Sequence, residues 1–186
     1  MNLLRLNKQF AIRPLTDSDI TDRYLEWMRD PEVTRFLDAG LTIQTKNSIR
    51  DYVRTFDNKK RYLWGIFTVN SSIHIGNISL YNIHPHHRFG HYGYLIGDRE
   101  YWGSGAATQA IALVFDFAFN DLKLNSISGA ANEENVPSIF NFQKLGLTYC
   151  GTTNERLFYD GKFSNEVMYS ITNGDWQKIR SRFQPS

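Results

Sequence analysis

The chemistry in this 186-residue chain centres on a stretch with few reactive side chains, Gly103-Ser104-Gly105-Ala106-Ala107. It follows a strand-like run, Gly93-Tyr94-Leu95-Ile96-Gly97, and opens an apolar helical pattern. A helix N-terminus presents backbone N–H groups without intrahelical partners, together with a partial positive charge. Small residues there let an anion approach the backbone, so the turn suits a pyrophosphate. It is not a nucleoside-triphosphate P-loop, because no Gly-Lys-Ser/Thr follows. It also departs from the dinucleotide Gly-x-Gly-x-x-Gly pattern, since residue 108 is threonine. Read alone, Gly-x-Gly before a helix is equally a tight turn that permits close packing. His84, His86 and His87 form a second concentration of polar chemistry. Pro85 among them indicates an exposed loop, and no spaced carboxylate or cysteine completes a metal set, so no metal is expected. Cys150 is the single cysteine, which excludes an internal disulfide. It follows Gly146 in a strand-like run and reads as a small apolar residue.

The elements that must position these groups follow from periodicity. A strand is expected at 10–14. Asp17 then caps a helix carrying Ile20, Tyr24, Leu25 and Met28 at helical spacing, and Asp30-Pro31 ends it. A second amphipathic helix covers 44–56, with Ile49, Tyr52, Val53 and Phe56 on one stripe. Strands at 62–69 and 73–83 flank the turn Asn70-Ser71-Ser72, and a third at 89–96 runs into the glycine turn. Ala107, Ala110, Ile111, Val114, Phe115 and Ala118 then recur at steps of three and four, a buried stripe. A strand at 124–130 and a helix at 136–145 follow, the latter ended by Gly146. Asp160-Gly161 between two strand-like runs signals a hairpin. The order is mixed α/β, with no repeat or linker, so residues 1–186 are expected to form one domain.

Composition narrows the function classes. Apolar residues make up 41% and charged residues 22%, a globular balance. A net charge of +2 without dense Lys/Arg clusters gives no case for nucleic acid. The opening residues lack the apolar run of a signal peptide and no segment reaches membrane-spanning length, so a cytoplasmic protein is expected. Aromatic residues reach 15%, enough to fill a core or line a groove.

Taken in order, the motifs resemble one family. Gly103-x-Gly105-x-Ala107, preceded by Tyr101-Trp102 and the Gly93–Gly97 strand, is similar to the acetyl-CoA signature of the GNAT N-acetyltransferases. The likeness is strongest to the RimJ/RimL-like branch, typified by ribosomal-protein alanine acetyltransferases. Trp27 and Phe36 around Asp30-Pro31-Glu32-Val33 resemble that branch's early helix-turn. Phe117-Ala118-Phe119 with Leu124-Asn125 resembles the end of its central helix. Asn135-x-x-Ser138 with Lys144-Leu145-Gly146-Leu147 resembles its second signature, and Asp160-Gly161-Lys162-Phe163 its final hairpin. The resemblance implies an α/β (α+β) acyl-CoA N-acyltransferase fold, a mixed sheet of about seven strands with a splayed central strand, flanked by helices. It implies acetyl-CoA as co-substrate and a primary amine that attacks the thioester directly. By the same likeness, backbone groups of Leu95, Ile96 and Gly97 take the pantetheine arm. The amides of Trp102, Gly103, Ser104, Gly105, Ala106 and Ala107 take the pyrophosphate, and the side chain of Asn135 contacts the cofactor.

Relatives often carry a glutamate where this chain has His91, and histidine can act as base near neutral pH, directly or through water; its other reading is a polar residue of the groove. Many carry a tyrosine seven residues after the motif asparagine, where this chain has Phe142. By likeness to the ribosomal branch, the serine of the Asn-x-x-Ser motif, Ser138, is expected near the sulfur, as acid or as positioner; its other reading is a helix-start hydrogen bond beside Pro137. The acceptor groove is expected from Trp27, Arg29, Phe36, Asn77, Tyr81 and Phe158. Acceptors in the family it resembles include protein N-termini, polyamines, aminoglycosides and amino sugars, so a protein N-terminus, an amino sugar or another small amine is expected, and a homodimer is allowed. Asn165 replaces an aspartate frequent in relatives, with Glu166 beside it, which weighs against a ribosomal-protein acceptor. Two rival readings stay open: a non-catalytic acyl-CoA-binding module and a nucleotide- or phosphate-binding protein.

Overall fold

The computed structural model describes residues 4–5 and 9–183, so most of the opening segment and residues 184–186 lie outside the described residues. Eight strands form one sheet in the order β1-β2-β3-β4-β5-β6-β8-β7. They are β1 (Leu4–Arg5), β2 (Phe10–Pro14), β3 (Tyr62–Thr68), β4 (His74–His84), β5 (Phe89–Ile96), β6 (Ser126–Asn132), β7 (Thr148–Tyr159) and β8 (Lys162–Thr172). The expected sheet of about seven strands is present, with the two-residue β1 added at its edge. Every pairing is antiparallel except β5 with β6. A parallel pair needs a crossover, which α4 (Ala106–Asp116) supplies.

Each face of the sheet has its own core. On one side the stripe of α4 buries Ala110, Ile111, Val114 and Phe115 against Ile78, Leu80, Tyr92 and Ile127. A π-turn at Phe117–Asp121 extends α4 and carries the buried Ala118 and Phe119 into the same core. α5 (Val136–Lys144) and α6 (Asn173–Ile179) flank it. Trp176 of α6, fully buried, donates its indole N–H to Asp116 Oδ1 at 2.8 Å. On the other side α1 (Asp22–Arg29), α2 (Pro31–Thr34) and α3 (Lys46–Arg54) cover β2–β5. Tyr24, Trp27, Ile49, Val53 and Phe56 make a second cluster there with Leu63 and Phe67.

The helix starts follow local chemistry, with one correction. Asp17 does not cap α1; it begins a 3-10 turn closed by Thr16 and Asp19, and Thr21 caps the helix by accepting from Tyr24 N–H. The reason is that Asp19 is held by Arg13 at 2.7 Å and by the Thr16 amide at 2.8 Å, which stops the turn short of a helix. Asp30 ends α1 and caps α2, with Pro31 at its first position. Thr45 and Ser48 form a capping box for α3. At the last hairpin Asp160 (φ 52°) and Gly161 (φ 75°) both lie in the left-handed region that a type I′ turn requires. Cys150 sits in β7 as expected, but exposed and 3.0 Å from Ser170 Oγ. It falls at a bulge of this edge strand, where the register shifts between Tyr149 and Gly151, and no apolar layer covers it.

Candidate active site

The site begins where the sheet comes apart. β5 pairs with β6 only at Phe89↔Ser126, Gly90↔Ile127 and His91↔Ser128. Beyond His91, β5 stays with β4 as far as Ile96↔Gly76, while β6 follows β8 to Asn132↔Glu166. The strands diverge into a V. Its floor is Tyr92 and Phe142, whose rings crowd the backbone of Gly129: a Cβ there would meet them at 2.8 and 3.0 Å. Phe142, where relatives often have tyrosine, is thus a core residue packed between Tyr92 and Tyr169.

Sheet geometry decides which backbone groups of β5 face this cleft. The Gly97 amide donates to Ile75 O of the β4 side at 3.0 Å, so Gly97 belongs to a hydrogen-bonded pair. Such pairs alternate along antiparallel strands, which turns Leu95 and Gly93 toward β4 and Tyr94 and Ile96 toward the opening. Of Leu95, Ile96 and Gly97, only Ile96 therefore points its amide into the V. Its carbonyl is already bound by Trp102 Nε1 at 2.8 Å, which ties the end of β5 to the glycine turn.

That turn leaves several backbone donors without partners. Gly105, at φ 85°, is the N-cap of α4 and offers no side chain to its first turn. The amides of Trp102 and Ser104 close back onto Arg99 O and Tyr101 O, and the Ala106 amide reaches Ser104 Oγ at 3.3 Å. Among the described residues the amides of Gly103, Gly105, Ala107 and Thr108 have no such partner. Thr108 is a member that sequence reasoning left out. Space beside Gly103 is open to 4 Å, and beside Gly105 only Gln109 Nε2 comes that close. Unpaired donors, open space and a helix N-terminus fit a diphosphate such as that of acetyl-CoA. Asn135 Oδ1 caps α5 by accepting from Ser138 N–H at 3.2 Å, which leaves its Nδ2 for another partner. Ser138 Oγ lies 3.3 Å from Tyr94 Oη at the cleft.

On the opposite face of β5 lies a cavity of about 670 Å³ between the sheet and α1, α3 and the loop joining α2 to α3. Tyr24, Tyr52, Phe56 and Tyr81 supply aromatic walls, and Asn77, Ser79, Gly93, Tyr94 and Leu95 the sheet side. The charged residues on its lining are Asp38 and Arg61. Burial pushes the Tyr24, Tyr52 and Tyr81 hydroxyls above their ordinary value, so they stay protonated at neutral pH. The remaining expected groove residues lie elsewhere. Trp27 is core beneath Gly97, Arg29 donates to Gln44 O at 2.9 Å, and Phe36 sits under the Arg35 guanidinium. Phe158 packs on Phe163 at 4.8 Å, far along the last hairpin. Tyr24, Tyr52 and Phe56 were legible only as helix stripes; nothing local marks the gap that they wall.

His91 stands at the vertex of the V, its Nδ1 3.2 Å from Ser128 Oγ, with Tyr81 and Phe89 rings on either side. It does not line the cavity. Asn165 is engaged locally, accepting from the Glu155 amide and donating to Glu133, while Glu166 pairs with Arg156 at 2.7 Å. His84 and His87 stack at the β4–β5 hairpin tip, and among the described residues no group of His, Cys, Asp or Glu is arranged to hold a metal. No described helix is long and apolar enough to cross a membrane.

Beneath the cavity, His74 Nε2 faces both Gly76 O (3.0 Å) and Asn77 Oδ1 (2.8 Å), so the proton is on Nε2 and the buried Nδ1 is bare. Burial lowers its pKa below the ordinary 6.5. The unfolded chain then binds a proton more readily than the folded one. Stability from this site is complete above about pH 6.5 and is lost as pH falls below it, by at most about 1.4 kcal/mol per pH unit. Thermal melts from pH 7.5 to 5.5 should show this slope in the native protein and a flatter one in His74→Gln. Equal slopes would remove His74 as the source.

The comparisons with known proteins agree with this architecture. Residues 9–148 match the family model described as Acetyltransferase (GNAT) domain. The chain is 28% identical over 131 residues to a probable N-acetyltransferase, YjcK, of Bacillus subtilis, covering 70% of this chain and 72% of that one. It is 29% identical over 102 residues to a putative ribosomal N-acetyltransferase, YdaF, of the same organism, covering 55% of each. The crystal structure of spermidine N-acetyltransferase from Vibrio cholerae in complex with CoA and spermine has the same fold. Its TM-score is 0.82 at 17% identity, over 92% of this chain and 99% of that one. With a family model spanning most of its length and the splayed sheet beneath it, the chain belongs to the GNAT acetyltransferases and is an N-acetyltransferase.

Proposed function

We propose that this enzyme acetylates a single primary amine carried on an apolar or aromatic body, using acetyl-CoA in a ternary complex. The observation that carries the reading is the placement of two openings on one strand. The V with its unpaired amides lies along one edge of β5, and the aromatic cavity lies against Gly93, Tyr94 and Leu95 of the same strand. Acetyl-CoA, when bound, supplies an activated acetyl group. The residues proposed to hold it are Ile96, Gly103, Gly105, Ala107, Thr108 and Asn135. Because His91 lies outside the cavity lining, beside Tyr81, water carries to it the proton that the amine must lose, and Ser138 faces the departing sulfur.

The acceptor class follows from charge. A polyamine carries several cations, and the cavity lining offers one carboxylate, Asp38, against the guanidinium of Arg61. Tyr159 Oη already donates to Asp38 at 2.8 Å. Aromatic walls and neutral hydroxyls instead suit a ring or aliphatic body of drug-like size. One relative's name supports a ribosomal-protein N-terminus within the RimJ/RimL-like branch.

The test is thiol release from acetyl-CoA with an amine panel. Aromatic and aliphatic monoamines should exceed spermidine by at least tenfold in kcat/KM, and His91→Ala should lose most activity where a neutral imidazole meets a still protonated amine, the loss fading at high pH where the amine is already free. Preference for spermidine would overturn the acceptor class. CoA binding with no turnover across the panel would favour the binding module.

A further inference from the structure

We infer that Tyr94, Asn141 and Thr108 form a one-directional hydrogen-bond chain that turns the Ser138 hydroxyl proton outward, toward the sulfur of the acyl donor. The inference rests on the acetyl-CoA reading above and concerns the side chains of Tyr94, Asn141 and Thr108, to which that reading gives no role. Asn141 fixes the direction. One end of its amide lies 3.1 Å from Pro137 O, which can only accept, so that end is Nδ2. The other end, Oδ1, then accepts from Thr108 Oγ1 at 2.7 Å. The second Nδ2 hydrogen goes to Tyr94 Oη at 2.9 Å. Tyr94 therefore accepts from Asn141 and retains its own proton, and the acceptor in reach is Ser138 Oγ at 3.3 Å. A serine oxygen that accepts from a phenol has its single proton free for the cleft.

The geometry makes this more than a surface network. Its members come from three elements, β5, α4 and α5, at the place where the sheet opens. Burial holds the Tyr94 hydroxyl above its ordinary pKa, so it remains a donor through the working pH range. The chain also stands where Phe142 cannot help, since that ring is 2% exposed and has no proton to give. In the reaction the amine nitrogen bonds to the thioester carbon and the C–S bond breaks, its electron pair staying on sulfur. The amine proton leaves to His91 or water, and the thiolate is held by Ser138 Oγ–H until solvent protonates it. Tyr94 touches no reacting atom here; it is a positioning residue acting through Ser138.

Tyr94→Phe tests the chain without changing its shape. Bound CoA, with no acceptor present, is titrated by the ultraviolet absorbance of its thiolate. The variant should hold about tenfold less thiolate than the native protein at a given pH, a rise of about one pKa unit. Its kcat should fall roughly tenfold with little change in KM for acetyl-CoA, less than the ~100-fold or more expected for losing a donor outright in Ser138→Ala. In the Ser138→Ala background, Tyr94→Phe should change kcat by less than about twofold, because coupled residues are not additive. An unchanged thiol titration, or a tenfold kcat effect that persists without Ser138, overturns the chain while leaving the acetyl-CoA reading in place. Failure of the native protein to bind CoA by calorimetry overturns both.

Discussion

Gly105→Arg should lose acetyl-CoA binding by about 100-fold or more while the protein stays folded. The turn offers the four unpaired amides of Gly103, Gly105, Ala107 and Thr108, and hydrogen bonds to a charged group contribute about 1.5–3 kcal/mol each. An arginine at the N-cap puts the bulk of its stem into the open space beside Gly105, where the phosphate oxygens must sit to reach these amides. Losing two such bonds is at least ~3 kcal/mol, or about two orders of magnitude in Kd. A second penalty acts on the fold, since a side chain at φ 85° costs roughly 1–2 kcal/mol. Gly105→Ala separates the two effects. It carries the same backbone strain without the bulk, so calorimetry should show affinity within a few-fold of native. Equal affinity in Gly105→Arg and the native protein would remove the glycine turn from cofactor binding.

Gly97→Ala should be strongly destabilising although it adds a single methyl group. A Cβ there would lie 2.6 Å from Trp27 Cγ and closer still to the atoms of its six-membered ring. Trp27 cannot withdraw, because Tyr24 and His74 pack against it with centroids at 5.7 and 5.0 Å. Overpacking of this kind costs about 3 kcal/mol. For a chain of this size that is a loss of roughly 6–12 °C in Tm. Gly93→Ala is the comparison on the same strand. Its Cβ would meet Ser79 and Tyr81 at 3.6 and 3.7 Å, ordinary contacts, so stability should change by less than about 1 kcal/mol. The new methyl would project into the cavity proposed for the acceptor and is expected to raise KM for the amine instead. Matching melts for Gly97→Ala and the native protein would show that the Trp27 ring is free to move.

These two glycines mark how far the chain could be read before its fold was known. The run from Gly93 to Ala107 already had the order strand, turn and helix, and β5 spans Phe89–Ile96 at the expected boundaries. Backbone direction was not legible. Whether Leu95 or Ile96 faces the cleft depends on which residues pair with β4, and pairing register is a relation between strands distant in sequence. Thr108 was hidden for the opposite reason. It counted as a departure from a dinucleotide pattern, although the donor that it supplies is a backbone amide, which any residue provides.

What the sequence by itself determined is whatever depends on neighbours along the chain. The capping of α2 by Asp30 before Pro31, the hairpin at Asp160-Gly161, the stripe of α4 and the uncapped glycine start of that helix all follow from spacing of a few residues. Tertiary structure alone decided which stripes end in solid core and which stop short of it. Trp27 and Tyr52 both lie on apolar helix faces, yet one seats Gly97 and the other walls a cavity. It also decided the meeting of Tyr94, Asn141 and Ser138, and the engagement of Asn165 by its own hairpin. The physical reason is that a periodic pattern specifies the direction in which a side chain points, whereas a cavity or a hydrogen-bond chain depends on the distance to another element, set by every other contact in the fold.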